Sequence, residues 1–311
     1  MLFQRQNRTL TVWAPAKLNL FLEVHGKRPD GYHELETLMV TLDHYDTLRF
    51  AETSAASTRM ILRPVEVSCS SSSTSTTPAH ESQAATLPAG SDNLIVRAAE
   101  LLRQETGYTG GVEIELFKRI PMAAGLAGGS SDAAATLMGL NQFWNLQLSL
   151  SQLSQLAARL GSDVPFFLEA SAAAICRGRG EQVEPCSLPL RMHFVVVKPP
   201  TGLSTPQVFR QCRPADQPRS VQPLVAALRQ GHLSKAGRLL HNGLQAAAET
   251  LNTDVQRVKA AFRGLSVLGH MMSGSGTSYF GLCASRRHAL QVSSRLKAAR
   301  LGHVFVAQSR A

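Results

Sequence analysis

The sequence has no apolar run approaching the ~20 residues that a membrane-spanning helix needs, and no charged, apolar, small-residue succession of a signal peptide at Met1. Membrane and secretory readings lose their support, and the expected location is the cytoplasm. Arg5 and Arg8, with no acid before Glu23, give the start a transit-peptide flavour, but strand-like alternation begins by Thr9 and leaves too little chain for one. The five cysteines (Cys69, Cys176, Cys186, Cys212, Cys283) are odd in number and scattered, with no CxxC or Cys/His ligand spacing, which excludes a disulfide framework and a zinc site. Acids are scarce in one half only: residues 185–311 carry 17 Lys+Arg against 3 Asp+Glu, whereas 1–184 carry 15 against 19. Aromatics make up 6% of the chain, and Trp13, Tyr32 and Phe209 are not interleaved with basic residues, which counts against single-stranded nucleic acid as partner. There is also no GxxxxGK[ST] loop, no GxGxxG after a strand and no HRD or DFG set, so P-loop, Rossmann and protein-kinase phosphate sites are disfavoured.

What is present is an ordinary globular balance, 44% apolar and 17% charged, over 311 residues. That is more chain than one core usually absorbs, and two domains sharing a cleft are expected. Thr9 to Val24 alternates as a half-buried strand, with Leu18, Leu20, Leu22 and Val24 on one face and Lys17, Asn19, Phe21 and Glu23 on the other. After turn chemistry at Arg28-Pro-Asp-Gly31, Thr37 to Phe50 reads as extended segments around a break at Asp43–Asp46. From Ser54 to Pro88 the composition shifts, and Ser68–Thr77 is Ser or Thr at every position but Cys69, which reads as an insertion or loop too polar to form a core. Helical spacing follows at 93–105, a strand at 111–117, a glycine loop running into a helix through Trp144, and a helix at about 150–160 ended by Gly161. Downstream come a strand at 192–197, helices at 221–229, 232–244 and 253–262, an extended 267–272, a glycine turn, a strand at 277–283, a helix at 286–299 and a last strand. The order is α+β, without repeats.

The loop from Pro121 to Ser131 carries the most information. Gly125, Gly128 and Gly129 permit a close backbone path, Ser130 and Ser131 can cap, and a helix beginning there aims unpaired amides at whatever lies in front, favouring an anion such as phosphate. The bland alternative is a glycine-rich connection to a well-capped helix. A second constellation pairs Lys17 on its strand with Asp163 just past a helix end. A carboxylate that accepts a hydroxyl proton, beside an ammonium that keeps it ionised, is what phosphoryl transfer to an alcohol requires.

Three separated segments, Ala14-Pro-Ala-Lys-Leu-Asn-Leu20, Pro121 to Ala135 and Met272-Ser-Gly-Ser-Gly-Thr277, together resemble the GHMP kinase superfamily, in the family's order and over nearly the whole chain. Arg28-Pro-Asp-Gly-Tyr-His33, the Gly-Leu-Ala-Gly-Gly-Ser-Ser form of the loop, Ser91-Asp-Asn-Leu-Ile95 and Gly161-Ser-Asp-Val-Pro-Phe-Phe167 resemble its cytidyl-substrate branch. The resemblance implies a two-domain α+β fold: a ribosomal-protein-S5-domain-2-like nucleotide domain at 1–185, with the Ser/Thr-rich insertion at about 54–90, and a ferredoxin-like α/β domain at 186–311. It implies ATP as co-substrate, Mg2+, and phosphorylation of the 2-hydroxyl of 4-diphosphocytidyl-2-C-methyl-D-erythritol on the non-mevalonate route to isoprenoid precursors.

By the same resemblance Asp163 is the general base and Lys17 its partner. Asn19 lines the substrate site, His33 hydrogen-bonds cytosine, and Tyr32 stacks on it with Phe209 as the opposing ring. Asn93 and Lys118 flank adenine, and the phosphates lie on the loop of Pro121, Met122, Ala123, Ala124, Gly125, Leu126, Ala127, Gly128, Gly129, Ser130 and Ser131. Asp132, at the head of the helix beside those phosphates, either complements the helix dipole or helps to hold Mg2+, and no metal ligand is assigned. The partners implied are small molecules, with neither nucleic acid nor membrane; the oligomeric state is left open. Two other readings remain: a GHMP kinase acting on another alcohol such as mevalonate or homoserine, and a nucleic-acid binder using the basic second half.

Overall fold

The computed structural model describes residues 1–53, 57–63, 90, 92–169 and 172–310. The first part of the chain forms β1 (Leu2–Gln6), β2 (Thr9–Lys27), β3 (His33–Thr53), β4 (Thr58–Arg63), α1 (Leu94–Thr106), β5 (Gly111–Phe117), α2 (Gly128–Phe143), α3 (Leu150–Leu160), α4 (Val164–Leu168), β6 (Ala173–Gly178) and β7 (Gln182–Pro185). The second forms β8 (His193–Lys198), α5 (Thr205–Gln211), α6 (Gln222–Arg229), α7 (Leu233–Leu239), β9 (His241–Asn242), α8 (Gln245–Leu251), α9 (Thr253–Arg263), β10 (Gly269–Met272), β11 (Tyr279–Cys283), α10 (Arg286–Ala298) and β12 (His303–Gln308).

β2 and β3 form a long antiparallel hairpin, the spine of an eight-stranded sheet. β3 is long enough to serve two neighbours, pairing with β5 through Thr47–Thr53 and with β6 through Leu35–Val40. It does not break at Asp43–Asp46: the strand runs through, and the turn-forming residues are absorbed by a register shift in which Pro15 faces Tyr45 and Lys17 faces Thr41. Two further shifts on β2, between Asn19 and Phe21 and between Val24 and Gly26, disturb strict alternation. Consequently β2 is half-buried, as expected, only over Thr9–Ala14. Lys17, Asn19 and Glu23 are as deeply covered as Leu18 and Leu20, because loops and the second half of the chain close over the face that the pattern assigns to solvent.

Against this sheet α2 is buried almost all round, with Ala133, Ala134, Ala135, Leu137 and Leu140 packed among Val12, Leu48 and Phe50 and the neighbouring helices. Each fully covered Leu or Phe in such a core contributes about 1.5–3 kcal/mol. α3 is started by a reciprocal capping box between Ser149 and Gln152. The second sheet, in the order β10-β11-β8-β12, is wholly antiparallel. That order, with helices between β8 and β10 and between β11 and β12, is the ferredoxin-like topology. The halves share a core: Leu18, Leu20 and Phe21 of β2 lie in one apolar cluster with Phe194, Val196, Leu224 and Phe280.

Two sequence expectations change. Within the polar stretch at 54–90, Thr58–Arg63 is a strand, parallel to β5 in full register from Thr58–Val112 to Arg63–Phe117; Met60 turns into the core while Arg59 and Arg63 pair with Glu113 and Glu115. Ser68–Thr77 lies outside the described residues. The helix expected over 232–244 stops at Leu239, because His241 and Asn242 leave it to pair in parallel with Phe21 and Leu22 of β2. A piece of the second half is thus a strand of the first sheet.

Candidate functional site

The three segments singled out in the sequence meet edge to edge. Lys17 N donates to Leu126 O (3.1 Å), Ser278 N to Ala124 O (3.0 Å), and Asn19 N to Ser273 Oγ (3.3 Å), which itself donates to Gly125 O (3.0 Å). Gly125 has a φ of +71°, and a Cβ there would stand 2.1 Å from Ser273 O, so no other residue fits this crossing of two loops. Together they wall a cavity of about 880 Å³, lined at one end by Pro121, Ala123–Gly125 and Ala127–Ser130 and at the other by Tyr32, His33 and Phe209.

Ala127, in the left-handed region at φ 53°, is the N-cap of α2 and has no side chain to cap with. The expected serine caps are not made: Ser130 lines the cavity, and Ser131 is buried within the helix with its hydroxyl unpartnered. The first amides of a 16-residue helix therefore open on the cavity, where the helix dipole favours an anion. Gly128 is packed from below, since a Cβ would lie 2.8 Å from Lys118 Nζ and 2.9 Å from Ile120 Cγ2.

In the cavity wall Lys17 Nζ lies 3.4 Å from Asp163 Oδ2, the ammonium nearly sealed at 4% side-chain exposure and the carboxylate 33% exposed. Asp163 occupies the N-cap of α4 but makes no capping bond, leaving its oxygens turned to the pocket that it lines. Lys17 also donates to Asn19 Oδ1 (2.5 Å); Asn19 Nδ2 donates to Thr37 Oγ1 (2.8 Å), and Thr37 to Phe21 O (2.6 Å). The relay fixes which way the Asn19 amide points. Ser273 belongs to the third segment singled out in the sequence, but Thr37 carries no signal of its part in this arrangement, being an ordinary strand residue until Asn19 meets it.

At the far end, the His33 and Phe209 rings are 5.2 Å apart and tilted by 31°. One face of the half-exposed Tyr32 is covered by the Arg179 guanidinium, 4.6 Å from the ring centroid. Phe209 thus contacts His33 rather than facing Tyr32, and Arg179, which sequence reading passed over, joins the wall. Burial, and after it the charge of Lys27, holds the His33 imidazole below its ordinary range, so it is neutral at pH 7 with one donor and one acceptor nitrogen.

Five expected residues, Ser131 among them, sit off the cavity wall. Asn93 caps α1, accepting from Ile95 N (2.8 Å), and it is Leu94 that reaches the cavity. Lys118 is not on the wall. It lies beneath the loop between Asp46, to which it is hydrogen-bonded, and Asp132 Oδ2 at 2.8 Å. Asp132 accordingly faces Lys118 rather than any phosphate, and its other oxygen has no partner. Burial, opposed by Lys118 and reinforced by Asp46, pushes its carboxyl up to about 8. Met122 and Leu126 do not line the cavity either; Leu126 is core.

Residues 93–171 match the GHMP kinases N terminal domain and 224–300 the GHMP kinases C terminal domain. The chain is 40% identical over 293 residues to 4-diphosphocytidyl-2-C-methyl-D-erythritol kinase of Pelotomaculum thermopropionicum, covering 93% of this chain and 94% of that protein. A crystal structure of 4-(cytidine 5'-diphospho)-2C-methyl-D-erythritol kinase superposes with a TM-score of 0.76 at 34% identity, covering 97% of this chain and all of the other. Homoserine kinase from Cytophaga hutchinsonii shares the fold alone, with a TM-score of 0.71 at 19% identity over the whole of this chain and 97% of that one. With both domain types in order and near-complete overlap at such identity, the chain belongs to the 4-diphosphocytidyl-2-C-methyl-D-erythritol kinase family of the GHMP kinases.

Proposed function

We propose that this chain transfers the γ-phosphoryl group of ATP to the 2-hydroxyl of 4-diphosphocytidyl-2-C-methyl-D-erythritol, giving the 2-phosphate and ADP. The observation that carries the reading is the Lys17–Asp163 pair in the wall of one cavity, between the uncapped head of α2 and the Tyr32, His33 and Phe209 end. Asp163 accepts the hydroxyl proton; the oxygen attacks the γ-phosphorus, the bond to the β–γ bridging oxygen breaks, and its electrons leave with ADP. Lys17, 3.4 Å from Asp163, offsets charge gathering on the transferred group. Beyond this, the protein's task is positioning and electrostatic stabilisation.

The amides of Gly128 to Ser130 hold the ATP phosphates, and the cytidyl group binds at the aromatic end. A neutral His33 offers one donor and one acceptor to the cytosine edge, and Tyr32 or Phe209 a face for stacking. Mg2+ enters as the counter-ion of ATP. Among the described residues no group of three His, Cys, Asp or Glu forms a metal cage, which suits an ion held through phosphate oxygens and at most one or two side chains. Asp163 is the one carboxylate among the residues that line the cavity, with Ser130, Ser162 and Ser275 offering hydroxyls, whereas Asp132, tied to Lys118, does not fit. The chemistry belongs to the cytoplasm, and the free thiols of Cys176, Cys186, Cys212 and Cys283 suit a reducing compartment.

The test is ADP release with the cytidyl substrate, mevalonate and homoserine in parallel. Turnover is expected with the first alone. Turnover with either of the others instead, or with none, would overturn the reading.

A further inference from the structure

We infer that Asn242 is a positioning residue for the proposed phosphoryl transfer, acting through the Ser273–Gly276 loop that backs the Lys17–Asn19 pair. The inference rests on the kinase reading above. Asn242 sits on β9 and is 9% exposed, and every polar atom of its side chain is engaged. Nδ2 donates to Met272 O (2.8 Å) and Gly274 O (2.9 Å), while Oδ1 accepts from Leu244 N (2.9 Å). Its own backbone is paired with Leu22 of β2, and the next amide, Gly243 N, donates to Leu22 O (2.8 Å). One amide side chain thus ties the strand that carries Lys17 and Asn19 to a loop more than 30 residues further along the chain.

The loop it holds is packed on the reacting pair. At Gly274, with φ +56°, a Cβ would stand 3.2 Å from Asn19 Oδ1 and 3.4 Å from Lys17 Nζ. Gly274, Ser275 and Gly276 all line the cavity, and Ser273 bridges to Asn19 N and Gly125 O. Fixing the Gly274 carbonyl also fixes the amide of Ser275, which shares its peptide plane and points the opposite way, turned from Asn242 in the segment lining the cavity. Without the clamp, the loop retains its internal bonds, Ser273 N to Ser278 O and Gly276 N to Ser273 O, and its ties through Ser273 and Ser278, but the Gly274–Ser275 peptide loses the hold that sets it against Lys17. Tyr32, His33 and Phe209 are not partners of Asn242, so the loss falls mainly on turnover.

Asn242→Ala and Asn242→Asp test this. Asp keeps the acceptor for Leu244 N but turns a carboxylate on two carbonyls, so it should be the worse of the two. A misplacement of about 1 Å at such a distance from the chemistry costs about 10²-fold, and kcat should fall on that scale while KM for each substrate changes little. Amide exchange at 273–276 in the free protein should accelerate in both variants. Ser285→Ala, which removes the cap donated to by His288 N at the head of α10, supplies a variant weakened far from the loop; it should lose melting temperature but neither kcat nor loop protection. A folded Asn242 variant with wild-type kcat and slow exchange at 273–276 overturns the inference, as does a loss of kcat no greater than that of Ser285→Ala at equal folded fraction. If the wild type does not turn over the cytidyl substrate, it is the proposed activity that fails, and the exchange measurement still decides on the clamp.

Discussion

Two lysine–carboxylate clusters lie on either side of the glycine loop, and they differ in almost everything but chemistry. Above it, Lys17 meets one carboxylate at 3.4 Å, and Asp163 keeps a third of its side-chain surface open to the cavity. Below it, Lys118 sits between Asp46 and Asp132, whose side chains are 0% and 4% exposed, with Asp46 also accepting from Arg119 N and Ile120 N. The first cluster is under-bonded and accessible, as a group that must take up and release a proton has to be. The second is saturated on the Asp46 side and sealed, and it ties β3 and the start of the glycine loop to the head of α2. Depth and bonding, rather than residue type, set the pair proposed to react apart from the sealed one.

The sharpest way to break that contrast is to neutralise one carboxylate in each. Asp163→Asn should cut kcat by about 10²–10⁴-fold, the usual worth of a general base, with melting temperature and nucleotide binding preserved. Near wild-type turnover where chemistry limits the rate would remove Asp163 from the mechanism. Lys118→Met should do the reverse, leaving the buried Asp46 carboxylate without its counter-charge and Asp132 without its donor, and destabilising the fold by about 3–5 kcal/mol, as breaking buried pairs does. Urea titration reads this, and a loss below 1 kcal/mol with a large fall in kcat per folded molecule would move Lys118 into the site.

The smallest effect is the most specific. Asp132 is held at about 8 against an ordinary 3.8, so between those values the folded protein carries a proton that the unfolded chain has released. Its stabilising contribution is complete below about pH 4 and is lost as pH rises through about 8, with a slope of at most about 1.4 kcal/mol per pH unit. Asp132→Asn, which mimics the protonated form, should gain on the wild type steadily between about pH 4 and 8 and add nothing further above that. Parallel pH–stability curves for the two proteins would show that Asp132 is ionised throughout.

Much of this was legible in the chain. The glycine loop shows its freedom and helix head locally, because glycine conformation and helix dipoles act over a few residues, whereas Lys17 and Asp163 taken singly read as a strand lysine and a turn former, and only the family resemblance pairs them as base and partner. Burial is not local. Nothing adjacent to Lys118 in sequence shows that Asp46, 72 positions earlier, will meet it, and the resemblance that sets Lys118 beside adenine says nothing of its bonds to Asp46 and Asp132. The same blindness placed a solvent face on β2, where Lys17, Asn19 and Glu23 are covered by segments from the other half. In residues 232–244 the helical spacing was real up to Leu239, but the hydrogen bonds offered by β2 outweighed the continuation of the helix.

The two-residue strand β9 also bears on how the protein comes into being. In the first sheet, whose β2 carries Lys17, Phe21 and Leu22 are paired with β3 on one side but lack a neighbour on the other until His241 and Asn242 have been synthesised. On the ribosome the leading hairpin must therefore wait, its inner edge open, while nearly all of the intervening chain emerges. A nascent or truncated chain ending before residue 241 would own the whole glycine loop and the Lys17–Asp163 pair yet hold them on an unfinished wall, and it would expose a bare strand edge, the kind of surface that recruits stray strands.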